Sequence, residues 1–433
     1  MTSPVEPPHR RELPWMAAWF VVSLSLPPEA SVGLGGLRLS GYRILLLVAM
    51  FPAAWRTFAR PAHPLLRCVD ALMVFHGLWS MLALALHPEA GGLESGGIYL
   101  VEATGAYLLA RAYVRDARDL EAAARLAILV LLVLLPFALF ESVTGAHVLR
   151  DLAKAAFGGP SAHAMERRFG LTRAFASFDH PILFGMFSAM AFAFSVEGLP
   201  SRVRGHPWPL VRTGLVGLGV VASVSSGAFA AVAFVLALRA WTRLTRRVSG
   251  RWRVLLSIFG TIWMFFVLGS PRSPVKVFVS YLTFSPGTGY ARLEIFDYGF
   301  AEVRRHPLFG IGLGEWARPD WMASSSIDNF FLATAVRYGA PATLSLIAAL
   351  VFVGLAVTRA PSPSSTPALR RAVGFAVAGL ALGGCTVHFW NSLLTLFCFL
   401  LGTAGAVVGA PRRAPARLIP TRVPVALPRA FAT

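Results

Sequence analysis

The residues able to do chemistry in this chain are few and widely spaced. Arg173 opens "RAFASFDHPILFG", Arg292 opens "RLEIFDYGFAEVRRHPLFGIGLGEW", and Asp328 heads "DNFFLATAVRYGAPATL". A guanidinium is planar, always charged, and presents a donor fork that fits phosphate-type anions. A carboxylate within hydrogen-bond reach of a hydroxyl can take its proton as the oxygen attacks. Aspartate is a weak base unless burial lifts its pKa, so His180 and His306, each followed by proline, are alternatives. Asn329, Arg337 and Arg304 complete the set of candidate substrate contacts. Each residue also has a plainer reading. Asp328 suits a helix N-cap. Arg337 can snorkel to lipid headgroups, Arg173 and Arg304 can anchor to the membrane surface, and Arg292 can sit on the solvated face of a surface helix.

The scaffold that must hold these groups is apolar. Hydrophobic residues make up 56% of the chain, charged residues 14%, and the mean hydropathy is +0.62. Soluble domains carry roughly 25% charged residues. Runs such as "LAILVLLVLLPFALF" have the length and apolarity of membrane-spanning helices. The sequence therefore predicts an all-α polytopic membrane protein with about 12 transmembrane helices. They lie near 13–27, 39–55, 68–87, 97–112, 126–145, 181–198, 211–224, 227–241, 254–270, 329–358, 372–389 and 391–409. "LPWMAAWFVVSLSLPP" lacks a small-residue cleavage site and reads as the first span. Residues 1–409 form one transmembrane domain, and the Pro- and Arg-rich stretch 410–433 reads as a disordered basic cytoplasmic tail.

The net charge of +19 does not point to nucleic acid. Of 40 cations all but Lys154 and Lys276 are arginine, and they fall in bursts between apolar runs. That is the distribution of a topology signal. With the N-terminus inside, 26 cations lie on the inner side and 13 on the outer. Both termini are then cytoplasmic. Two long loops, 146–180 and 271–328, face outward and carry most of the candidate residues. The inner loops are short and basic and contain no phosphate-binding glycine loop. Cys68, Cys385 and Cys398 share no metal-type spacing, and no cofactor is expected.

The stretch from Asn329 to Thr358 is 30 residues, about 45 Å as one helix, more than a bilayer core needs. Gly339 and Pro341 mark a break, so Asp328 to Tyr338 is expected to project outward, with Asp328 and Asn329 capping it. Asp70 and Glu102 suit internal pairing, and His388 and Asn391 suit helix packing. Residues 292–305 read as an amphipathic surface helix.

The layout resembles the O-antigen ligase and polymerase superfamily of bacterial envelope membrane proteins. The motifs that carry this are an arginine before "FDHPILFG", "SSG" at an outer turn, an arginine before "HPLFGIGLG", and "DNFFLATAVRYG". Their order and topology cover about Leu65 to Gly409. The resemblance implies a fold like the family C glycosyltransferases. It also implies a metal-independent transfer of glycan from an undecaprenyl-diphosphate-linked donor, outside the inner membrane, to a glycan acceptor. Arg173 and Arg292 match the family's diphosphate-binding arginines, and Asp328 stands where ligases have a histidine. That difference favours an exopolysaccharide-type polymerase over a ligase. Flippase and chain-length regulator proteins are the implied partners, besides membrane lipids. An O-antigen ligase is the first alternative. A lipid-linked sugar transporter is the second; it predicts internal repeats and midplane charges, whereas no convincing repeat is seen and the polar clusters sit at one face. A catalytically inactive scaffold is the third.

Overall fold

The computed structural model describes residues 14–34, 37–87, 91–159, 165–199, 207–269, 286–322 and 325–409. The expected tail, 410–433, lies outside them, as does part of the second expected loop.

The described chain is a helical bundle. Its helices are α1 (Trp15–Ser23), α2 (Gly41–Ala59), α3 (Pro64–Ala85), α4 (Gly92–Leu100), α5 (Ala106–Tyr113), α6 (Ala117–Thr144), α7 (Val148–Phe157) and α8 (Pro181–Ala193). They continue with α9 (Trp208–Ser223), α10 (Ser226–Leu244), α11 (Arg251–Gly269), α12 (Pro286–Arg305), α13 (Phe330–Tyr338), α14 (Ala340–Arg359), α15 (Pro367–Gly384) and α16 (Asn391–Thr403). Two small antiparallel hairpins interrupt them, β1 (Ser31–Leu34) with β2 (Leu37–Ser40) and β3 (Arg167–Arg168) with β4 (Leu171–Thr172).

Among the described residues six helical stretches are long and apolar enough to cross a membrane: α3, α6, α8 with its continuation to Gly198, α10, α11 and α14. α1 has only nine residues, short of the roughly 20 that a bilayer core needs. The first expected loop holds α7 and a hairpin, and the described part of the second holds α12. Local chemistry fixes several ends. Asp116 caps α6 by accepting from the Arg118 and Asp119 amides, and Thr366 caps α15 at the Leu369 amide.

One apolar core runs through the bundle, with Phe20, Tyr107, Phe184, Phe187 and Phe397 nearly inaccessible. A second, smaller core joins α12 to α13 through Ile295, Val303, Leu332 and Val336. Two carboxylates buried in the bundle are paired, as membrane interiors require. Asp70 accepts from Tyr107 and Arg111, and Glu102 from Tyr42 and Arg43. Glu102 sits in a π-helical turn, Val101–Gly105, between α4 and α5.

The expected break at Gly339 is present, but the projection is not. In a continuous helix the twelve steps from Phe331 to Thr343 would span about 18 Å. Instead the Thr343 hydroxyl donates to the Phe331 carbonyl at 3.3 Å. The chain folds back at Gly339, whose φ is +85°, and α13 lies beside the start of α14. Packing drives this, because seven of the nine α13 residues are buried. The Trp79 indole of α3 holds the corner by donating to the carbonyls of Leu308 and Tyr338.

Candidate functional site

Five segments far apart in sequence meet at one cavity of about 420 Å³. Arg168, Arg173, His180, Ser225, Ser226, Arg292, Asp328, His388 and Trp390 line it.

Arg173 follows the β3–β4 hairpin. Its segment is held from below by Glu141 near the end of α6, whose carboxylate accepts from the amides of Phe175 (3.1 Å) and Ala176 (2.9 Å). The Ala174 amide donates to Ala222 of α9. His180 is the N-cap of α8, with Nδ1 accepting from the Ile182 amide at 3.2 Å. Ser225 and Ser226 begin α10 after a left-handed turn at Val224 (φ +44°). Two helix N-termini, those of α8 and α10, therefore border the cavity and favour negative charge there.

Arg292 comes from α12, whose Gly299 sits where a Cβ would lie 2.9 Å from Leu332 Cδ2 of α13. That close approach brings α12 onto α13, so Arg292 and Asp328 reach the same cavity. Asp328 accepts a 3.0 Å hydrogen bond from the Ser326 hydroxyl. The helix cap is its neighbour: Asn329 Oδ1 accepts from the Leu332 amide at 3.0 Å. His388 lies in the turn between α15 and α16, 6.0 Å from Trp390 in parallel stacking. The turn is tied to α13 by the Phe330 amide, which donates to the Val387 carbonyl.

The electrostatics are cationic and incomplete. Three guanidinium groups face one carboxylate. Burial, and then Arg168, draw the Arg173 pKa down to about 10, so it stays charged at neutral pH. Burial also lowers Arg292, partly offset by Asp328. The Nε atoms of Arg173 and Arg292, Arg292 Nη1 and His388 Nδ1 are buried without a protein partner. Buried charged donors are ordinarily paired. Burial brings His180 to about 4, with Arg173 next in effect, and His388 to about 4, with Arg337 next. Both imidazoles are neutral at pH 7. An anion bound among the arginines would offset that positive field and make both histidines more basic. Among the described residues no group of three His, Cys, Asp or Glu is placed to hold a metal ion.

The structure thus brings together Arg173, His180, Arg292 and Asp328 from the candidates named by sequence. Others it does not bring in. His306 is half exposed with Nε2 3.4 Å from Glu302, and Arg304 lies over the Phe300 ring at the surface. Arg337 stands behind the lining, near enough to act on His388. Asn329 is the cap. His388, assigned by sequence to helix packing, lines the cavity, as do Arg168 and Trp390, which sequence reasoning left aside. The clustering of "VHFW" beside an apolar run was the available signal for His388 and Trp390.

A membrane-type helical bundle with a cationic cavity at one end is the class these features define. Residues 213–347 match the family model Wzy_C, described as O-antigen ligase, and the match supports the O-antigen ligase and polymerase superfamily for this chain. The matched region runs from α9 into α14 and contains Ser225, Ser226, Arg292 and Asp328; Arg173, His180 and His388 fall outside it. No curated protein matches the chain.

Proposed function

We propose that this chain is a bacterial envelope polysaccharide polymerase. It moves glycan from an undecaprenyl-diphosphate-linked donor to a sugar hydroxyl, at the outer face of the cytoplasmic membrane. The observation that supports this most is the set of unpartnered buried guanidinium nitrogens on Arg173 and Arg292 in one cavity. Those donors fit a diphosphate, and the N-termini of α8 and α10 favour the same charge. The arginine bias of the sequence supports an outward-facing cavity and cytoplasmic termini.

In this reading the acceptor oxygen attacks the anomeric carbon while the bond from that carbon to the diphosphate oxygen breaks. The electron pair leaves with the polyprenyl diphosphate, whose growing charge Arg173 and Arg292 stabilise. The hydroxyl proton passes to the Asp328 carboxylate. Attack opposite the leaving group inverts the anomeric centre. The wider family supports glycosyltransferase chemistry of this kind. Asp328 in place of a ligase histidine is the ground for preferring polymerisation to ligation.

The test is reconstitution of the purified full chain with a lipid-linked repeat unit. Longer lipid-linked glycan on gels supports the reading. If the product is instead transferred intact to a lipid A-type acceptor, the ligase reading replaces it. Uptake of the intact lipid across proteoliposomes, with no new glycosidic bond, would establish a transporter.

A further inference from the structure

A second cavity of about 240 Å³ opens at the same end of the bundle, beside the first. The two share a wall made of neighbouring residues. Asp179 and Asn391 face the second cavity, while His180 and Trp390 face the first. The wall is bonded through, since Asn391 Nδ2 donates to Asp179 Oδ2 at 3.3 Å. Arg43 Nη2 donates to Asn391 Oδ1 at 3.1 Å, and Arg43 Nε to Glu102 Oε1 at 2.8 Å. Asn391 holds φ at +47°, an unfavourable conformation that asparagine tolerates best after glycine. Across the cavity, Arg150 pairs with Glu29 at 2.6 Å, both almost wholly buried.

The charge of this cavity differs from that of the first. Arg38, Arg43 and Arg150 face Glu29 and Asp179, with Glu102 directly behind Arg43. The cations are therefore balanced. Ser31, Ser40 and Ser392 add hydroxyls to planar amide, carboxylate and guanidinium groups. A lining whose charges are nearly balanced, with rigid donors and acceptors, suits a ligand with many hydroxyls and no charge, and suits a diphosphate poorly.

We propose that this second cavity is a saccharide subsite that seats the acceptor glycan, its reacting hydroxyl reaching past the Asp179–Asn391 wall toward Asp328. The proposal rests on the glycan-transfer reading. It divides the labour: the cationic cavity holds the donor diphosphate and the nearly balanced one holds sugar.

The test uses the full-length chain in nanodiscs. The probe is the oligosaccharide released by mild acid from the host's own lipid-linked glycan. Its binding is followed by tryptophan fluorescence without donor, and its KM as acceptor is measured with donor. Arg38→Ala removes a lining group at the exposed edge of the β1–β2 hairpin, and Ser31→Trp fills the space. Both should weaken oligosaccharide binding and raise the acceptor KM about tenfold, with the donor KM within about twofold. Arg292→Ala should keep oligosaccharide binding while losing transfer. No oligosaccharide binding by the wild type, or unchanged affinity in both cavity variants, overturns the subsite. Full transfer by Arg292→Ala overturns the donor site instead, so the two failures are told apart.

Discussion

Asn329 caps α13 through a 3.0 Å bond to the Leu332 amide, and its neighbour Asp328 is thereby left facing Arg292 in the cavity. Two adjacent polar residues that could have shared one structural job have divided two. The division is measurable. Asn329→Ala should cost about 1 kcal/mol of stability, the usual worth of a cap, with activity falling only as folded protein is lost. Asp328→Asn keeps the shape and should leave thermal stability nearly unchanged, while lowering transfer by about a hundredfold or more. Full activity in Asp328→Asn would remove the carboxylate from the chemistry. Asp328→His, restoring an imidazole base, should recover part of the loss.

Arg292 has two of its guanidinium nitrogens buried without a protein partner. Removing a charge that stabilises a developing anion typically costs about 10²–10³ in rate. Arg292→Ala should therefore abolish detectable extension while the protein still inserts and elutes as a single species. Arg292→Lys keeps the charge but not the fork, and should fall between. Wild-type extension by the alanine variant would sink the proposed donor site.

Glu141 never touches the cavity, yet its carboxylate fixes the Arg173 segment by accepting two backbone amides and bonding His147 Nδ1 at 2.8 Å. It is a positioning residue. Glu141→Gln retains one carbonyl acceptor and should raise the donor KM moderately; Glu141→Ala orphans both amides and should raise it further. Neither should shift the acceptor KM. An equal change in both constants would point to general loosening of the fold.

What the sequence showed and hid follows from range. Arg173, His180, Arg292 and Asp328 were legible because each sits beside a strong local marker: a proline-started helix, a glycine-rich turn or the onset of an apolar run. His306 and Arg304 carried the same kind of marker, yet their place on α12 turns them to the surface, where Glu302 and Phe300 occupy them. His388 looked like packing because its role depends on α13 lying against the 385–390 turn. The break at Gly339 was visible, but the direction of the chain after it was not. That direction depends on Trp79, some 260 positions earlier, reaching the Tyr338 carbonyl. No window of sequence contains both.

Gly339 tests that geometry directly. A Cβ there would lie 1.8 Å from the Leu308 carbonyl oxygen, at a φ that side chains resist. Gly339→Ala should prevent folding or lower the melting temperature sharply. Gly354, within α14, has open space around it, and alanine there should stabilise by about 0.5–1 kcal/mol. The same substitution in the same segment thus has opposite signs. Similar melting temperatures for the two variants would contradict the fold-back.

The two cavity histidines set a pH window. His180 has a folded pKa of about 4, pulled down first by burial and then by Arg173. Unfolded, it titrates near the ordinary value of about 6.5. Between those values the unfolded chain binds more protons, so stability falls as pH drops from about 6.5 toward 4. Above 6.5 the imidazole is neutral in both states and its cap on the Ile182 amide is intact. Protonation removes the acceptor lone pair on Nδ1 and places a cation beside Arg173. His388, also at about 4, contributes in the same direction and window. In His180→Asn the side chain can still accept from the amide but does not titrate. Melting temperature followed from pH 7 to pH 4 should therefore decline less steeply in that variant than in the wild type, with His388 accounting for part of the remaining slope. Parallel curves for the two proteins would show that His180 is not held neutral by the fold.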